Sequence, residues 1–256
     1  TFVFDDGSSL FIAPCYVVEL KDGPNPLYLL AVLNSVMSDF LLRRRSTSLA
    51  SGYTEMQKQY VEELLIPRIR FLTSADSRKQ YLQKIHTSYA AGRFGDLLAF
   101  TAERLAADET DVIHDLLAFL AQQMIDLNKQ KQAEVKRFLG WLEGQIGAKI
   151  DDLTGKTIIQ GYLGDYQKDE GELPFADLYD RLQRNRRKLR ANLSDKAVEA
   201  RIAREYEASL GVLLPIKARL AHTDRLIDQI VYQLYGLTDE EIAIVEGRSE
   251  EHTSEL

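Results

Sequence analysis

Between residue 110 and about residue 147, Val112, Leu116, Leu117, Leu120, Met124, Leu127, Val135, Phe138, Leu139 and Leu142 recur at mostly three- and four-residue spacings, with no proline among them. A period near 3.6 held over that length predicts one helix far longer than the usual three turns. Its apolar stripe must face a core or a partner. The same period continues with few breakers through residues 77–91, 95–106, 157–166, 175–191 and 195–210, so the chain beyond Thr73 reads as almost continuous helix. Past Pro215, residues 223–235 place Leu226, Ile230 and Leu234 on one face beside Ile227 and Val231. Gly236 stops that helix at C′, and Thr238-Asp239-Glu240-Glu241 is a capping box that opens a last short helix over 239–246.

The opening residues have a different texture. Residues 1–4, 10–13 and the run Cys15-Tyr16-Val17-Val18-Glu19-Leu20 read as strands separated by polar turns. After the turn cluster Lys21 to Asn25, with Asn25 as N-cap and Pro26 at the first helical position, one amphipathic helix is expected over 27–45. It carries Leu30, Leu33, Val36, Met37, Phe40 and Leu41, ends in Arg43-Arg44-Arg45, and gives way to a polar loop and a segment closing on Leu64-Leu65-Ile66-Pro67. The fold class expected is α+β, mostly α, with a small N-terminal α/β recognition segment followed by a long helical bundle or spacer. The expected divisions are 1–73, 74–222, 223–247 and a tail over 248–256.

With 256 residues, 45% of them hydrophobic, the chain can bury a real core. Its apolar runs fall short of the roughly 20 residues needed to span a bilayer, and its single cysteine, Cys15, forms no internal disulfide, which fits a reducing cytoplasm. Four well-separated histidines offer no metal-ligand spacing. The chain opens on Thr1 without a signal-peptide pattern, which reads as a cut start, and RSEEHTSEL at the end reads as a translated sequencing adapter. The net charge of −7 argues against a protein that coats nucleic acid through a general positive field, so any DNA contact must be local.

Several chemistries lack their residues. Thr154-Gly155-Lys156-Thr157 suggests a phosphate loop, but Ile150 stands where the upstream glycine is needed, and the segment reads as a helix-entry turn. No glycine-rich turn follows a strand, as an S-adenosylmethionine site requires, and no two prolines are adjacent. Glu134-Val135-Lys136 has an acid-x-lysine spacing, yet it lies within a helix pattern and reads as a solvated face. No catalytic, cofactor or metal residue is assigned to this chain.

Two basic clusters stand against the acidic background. Arg43, Arg44 and Arg45 run directly into Ser46, Thr47 and Ser48, with Tyr53 just beyond, so guanidinium forks and hydroxyls meet at one helix-loop junction. Arginine suits guanine edges and phosphates, and small hydroxyl residues bond phosphate oxygens. A basic helix C-terminus is also ordinary dipole chemistry. The second cluster holds Arg181, Arg184, Arg186, Arg187, Lys188 and Arg190 with no acid among them. It suits a phosphate track, a solvated helix face, or pairing with the acidic stretch 165–172.

The run YLLAVLNSVMSDFLLRRR, the small polar loop with Gly52-Tyr53, and ELLIPRI together resemble the TaqI-like C-terminal specificity domain of adenine-specific DNA methyltransferases and type IIG restriction enzymes. Ile66-Pro67-Arg68 lacks the last proline of the family's Leu-Pro-Ile-Pro-like segment. TDRLIDQIVYQLYGLTDEEIAIVEG, residues 223–247, resembles the C-terminal helical signature of the same enzymes, and the helical middle is similar to the spacer of some members. The resemblance implies that S-adenosylmethionine, an Asn-Pro-Pro-Tyr motif and methyl transfer belong to an upstream domain of a larger parent. It implies double-stranded DNA as partner, met by Arg43, Arg44, Arg45, Ser46, Thr47, Ser48 and Tyr53. The competing expectation is a helical interaction or dimerisation module over residues 77–220 that makes no DNA contact.

Overall fold

The computed structural model describes residues 2–3, 24–45 and 58–248, and among them there are helices and no strand. The α/β recognition segment expected within 1–73 is therefore corrected. The described part of that stretch holds α1 (Pro26–Leu33), α2 (Val36–Arg45) and α3 (Lys58–Glu62), followed by an extended run to Ser74. Of the strand expected over 1–4 only residues 2–3 are described, and they form no strand; those expected over 10–13 and 15–20 lie outside the described residues. The extended run forms no ladder because side chains take up its backbone groups. Tyr235 Oη donates to the Leu65 carbonyl at 2.7 Å and Tyr28 Oη to that of Pro67 at 3.2 Å. Further on, the Arg70 amide donates to Thr110 Oγ1 at 3.2 Å, and the amide and hydroxyl of Thr73 both donate to Asp111, each at 2.7 Å. Phe2 likewise exchanges its amide and carbonyl bonds with the Asn34 side chain, at 2.8 and 3.0 Å, rather than with a strand.

The remaining helices are α4 (Ala75–Ala90), α5 (Phe94–Ala106), α6 (Thr110–Ile146), α7 (Lys156–Gln160), α8 (Phe175–Arg184), α9 (Lys196–Tyr235) and α10 (Asp239–Val245). The long periodic stripe is α6, 37 residues without a break. Two expected helices shorten: the one over 157–166 closes after Gln160, and the one over 175–191 ends as an α-helix at Arg184, with a 3-10 turn at Arg186–Lys188. The break expected near Pro215 is absent, and α9 runs 40 residues straight through it. An interior proline costs roughly 3 kcal/mol. Leu213 and Leu220, fully buried on either side, are each worth about 1.5–3 kcal/mol, enough to hold the helix together.

The chain divides into two compact units, and the division falls inside both long helices, after Gln123 in α6 and after His222 in α9. The first unit takes residues 1–123 and 223–256. Its core holds Tyr28, Val32, Ile85, Leu97, Ile113, Leu116, Leu117, Leu120, Ile230 and Val231, all nearly inaccessible to solvent. The C-terminal stripe at Leu226, Ile230 and Val231 is thus core of this unit. Its helix stops at Gly236, which takes φ +68, and the expected capping box is formed at α10.

The second unit, residues 124–222, is built around Phe138, Leu142, Ile146, Ile159, Tyr162, Leu178, Leu182, Ile202, Tyr206 and Leu213. Tyr162 Oη and Ser209 Oγ meet at 2.8 Å inside it, and burial pushes the Tyr162 hydroxyl up to about 12. Gly155, in the expected helix-entry turn, takes φ +79 immediately before α7.

Candidate functional site

The single helix expected over 27–45 is two, α1 and α2, bent by 63° at Asn34-Ser35. Local chemistry makes the break. The hydroxyls of Ser35 and Ser38, both buried, donate to the Val32 carbonyl at 2.7 and 2.6 Å, and the Asn34 amide caps α1 by bonding Leu30. A hydroxyl that bonds a backbone carbonyl of the preceding turn competes with the helix ladder. No single described helix is long and apolar enough to cross a membrane; the bent α1–α2 pair passes by length and composition, but the apolar side chains of α1 form core.

Two long-range contacts hold this pair by its helix starts. Asn25, the N-cap of α1, accepts from the Leu27 amide at 2.8 Å, and its own amide donates to His114 Nε2 of α6 at 2.8 Å. His114, 4% exposed, donates from Nδ1 to Asp115 Oδ1 at 2.9 Å, and the tautomer follows because Nε2 accepts. Arg78 completes the chain with a two-pronged pair to Asp115 at 2.8 and 2.6 Å. Burial opposes ionisation of Asp115, but the bonds from His114 and Arg78 outweigh it and hold the carboxyl below its usual range. An aspartate-histidine pair invites a hydrolytic reading, yet the nitrogen that would act as base is occupied by the Asn25 amide. The pair is a structural clamp.

The second contact reaches α2. Its first amide, Val36, donates to Asp228 Oδ1 of α9 at 2.8 Å. Burial, with Asp224 and Glu246 nearby, pushes the Asp228 carboxyl up to about 7 despite the Val36 bond. The far end of α2 carries the three arginines, all exposed. Arg43 pairs with Asp39 at 2.6 Å, Arg44 lies over the Phe40 ring at 5.3 Å, and Arg45 donates to the Glu63 carbonyl at 2.7 Å. The Arg43–Asp39 pair is more than half exposed and contributes only a few tenths of a kcal/mol, so a phosphate or base edge competes with it readily. Beside Arg43 and Arg44 lies an open groove of 370 Å³, bordered also by Val36, Phe40, Val245 and Glu246.

Of the residues expected to meet DNA, Arg43, Arg44 and Arg45 stand together on the last turn of α2. Ser46, Thr47, Ser48 and Tyr53 lie outside the described residues. The anchors His114, Asp115, Arg78 and Asp228 escaped the sequence reading. The only signal for them was a His-Asp pair beside the α6 stripe and an aspartate flanking the α9 stripe, and either fits a solvated edge equally well. Among the described residues no group of three or more His, Cys, Asp or Glu is placed to hold a metal ion.

No curated protein and no solved structure matches the chain. Residues 110–231, from the first residue of α6 to the penultimate turn of α9, match the model of a family described as a domain of unknown function, DUF8810.

Proposed function

We propose that this chain is the DNA-recognition portion of an adenine-specific methyltransferase or type IIG restriction-modification enzyme of the cytoplasm, with the S-adenosylmethionine site and methyl transfer in an upstream domain of the same parent. The observation that carries the reading is the exposed arginine turn of α2, held by its opposite end through the Val36–Asp228 bond. Support comes also from the way three separated sequence segments meet. Tyr28 of the first resembling run and Tyr235 of the C-terminal signature bond the carbonyls of Pro67 and Leu65 in the ELLIPRI segment. Residues 26–45, 58–73 and 223–247 therefore act as one unit, which suits a recognition domain closed by its own C-terminal helices.

Fluorescence anisotropy with a labelled duplex tests this. Binding is expected to weaken steeply with salt, and to weaken further when Arg43, Arg44 and Arg45 are all changed to Ala. Binding indifferent to both changes overturns the reading. For the parent, transfer of a methyl group from S-adenosylmethionine to adenine in duplex DNA is the matching assay.

A second reading, self-association through residues 77–220, draws on Val212 and Leu214, large apolar side chains of α9 that are 49% and 37% exposed. It predicts a mass in solution that rises with concentration and falls back on Val212→Asp, with no response to DNA.

A further inference from the structure

The second basic cluster lies in the other unit, on the last turn of α8 and just beyond it. The helix dipole accounts for Arg181 and Arg184, which lie in its last turn, Arg184 also pairing with Asp180 at 2.6 Å. It does not account for the four cations beyond them, Arg186, Arg187, Lys188 and Arg190. The α8 carbonyls are already met, Arg181's by the Asn185 side-chain amide at 2.9 Å and Leu182's by the Asn185 backbone amide at 3.0 Å. Arg186, Arg187 and Lys188 stand past that end in a 3-10 turn.

The turn is pinned on every side. Asn185, 4% exposed, accepts from the Thr154 amide at 2.9 Å and donates to the Thr154 carbonyl at 3.0 Å. Lys188 Nζ donates to the Asp152 carbonyl at 2.7 Å, and the amides of Arg190 and Ala191 both donate to the Ile146 carbonyl that ends α6, at 3.0 and 3.2 Å. With three residues per turn, successive side chains of a 3-10 helix point about 120° apart. Lys188 is turned to the protein, which leaves Arg186 and Arg187 splayed outward. Both are exposed, and neither makes an ion pair or side-chain hydrogen bond among the described residues. The acidic stretch 165–172 does not neutralise them: Asp165 pairs with Lys168 at 3.7 Å, and no acid there pairs with the cluster. Leu189, the one large apolar side chain of the turn, packs onto the core.

We infer that this turn is a second, sequence-indifferent contact for the phosphate backbone of duplex DNA, made by Arg186 and Arg187. A rigid backbone presenting unpaired guanidinium forks suits bidentate phosphate binding and leaves little side-chain ordering to be done beyond the arginines themselves. Interfaces with proteins place an apolar centre inside a polar rim. This turn exposes cations without such a centre, as interfaces with nucleic acid do. The choice of duplex DNA rests on the proposed function, but the surface is separate from the α2 arginines.

The test compares the whole chain with Arg186→Glu/Arg187→Glu, with Arg186→Lys/Arg187→Lys, and with the triple alanine variant of Arg43, Arg44 and Arg45, by duplex anisotropy over a salt series. Because Arg186 and Arg187 are exposed and unpaired, the melting temperature should not move. The glutamate variant should bind at least about tenfold more weakly, to the same extent on unrelated duplexes, and its slope of log K against log salt should flatten by about 2, the value for two phosphate contacts. The lysine variant should keep most of the affinity. Unchanged affinity and slope in the glutamate variant, while the α2 variant weakens, overturns this inference alone. Weakening of the glutamate variant with an unaffected α2 variant overturns the proposed role of α2 alone, and absence of duplex binding by the unaltered chain overturns both. Loss of binding to polyglutamate but not to duplex replaces DNA with an acidic protein partner.

Discussion

Asp228 of α9 caps α2, a helix 192 residues away in sequence, by accepting the amide of Val36 at 2.8 Å. Folding raises the proton affinity of this carboxyl, so between about pH 4 and pH 7 the folded protein holds more protons than the unfolded chain, and stability falls as pH rises through that window. Asp228→Asn keeps an oxygen for Val36 and cannot ionise. It should match the unaltered protein below pH 4 and exceed it at pH 8 by about 2 kcal/mol, a figure reduced for the side chain's partial exposure. Asp228→Ala, which leaves the amide without its acceptor, should lose about 1 kcal/mol even at low pH. Chemical denaturation at several pH values checks both.

The Arg78–Asp115–His114 clamp predicts the opposite pH behaviour. Asp115 is held below its usual range by His114 and Arg78, against the opposing effect of burial, so it stabilises the fold above the ordinary carboxylate pKa, and that stability is lost as pH falls through its lowered value. Asp115→Asn should cost about 2 kcal/mol at pH 7, because it leaves a partly buried guanidinium without its counter-charge. The difference from the unaltered protein should shrink as the solution is acidified.

Gly164 tests the second unit. It takes φ +71, and a β-carbon there would overlap the carbonyl oxygens of Glu170 and Gly171. Lys217 fixes the surrounding backbone by donating to the carbonyls of Leu163 and Glu170, at 2.8 and 2.5 Å, so the loop cannot simply step aside. Gly164→Ala should destabilise by about 2 kcal/mol or more, whereas Gly171→Ala, whose β-carbon meets open space, should be nearly neutral. Thermal melts of the two variants decide it.

Tyr235 offers a check on how residues 63–73 are held. Tyr235→Phe removes the 2.7 Å bond to the Leu65 carbonyl and should cost about 1 kcal/mol. It should also speed hydrogen exchange across the extended run without altering the melting of residues 124–222. Equal acceleration in both units would mean that the bond supports more than its own neighbourhood.

Much of the helical architecture was legible in the order of residues. A stripe at 3.6 spacing marks α6 whatever surrounds it, and Asn25-Pro26, Gly236 and Thr238–Glu241 mark helix ends because their capping bonds are made within a few residues. The arginine turn was legible for the same reason. What escaped depended on partners far along the chain. The acceptor for the first amide of α2 is Asp228, 192 residues away, and the continuity of α9 through Pro215 needs the burial of Leu213 and Leu220. Residues 63–73 show no periodic stripe of their own, and what holds them extended is side chains from α1, α6 and α9 that meet their backbone groups. Helix period and capping are short-range and written in neighbouring residues; which buried polar group meets which is settled only when the chain has packed, since an unmet one costs about 1–3 kcal/mol and takes whatever partner the fold brings within reach.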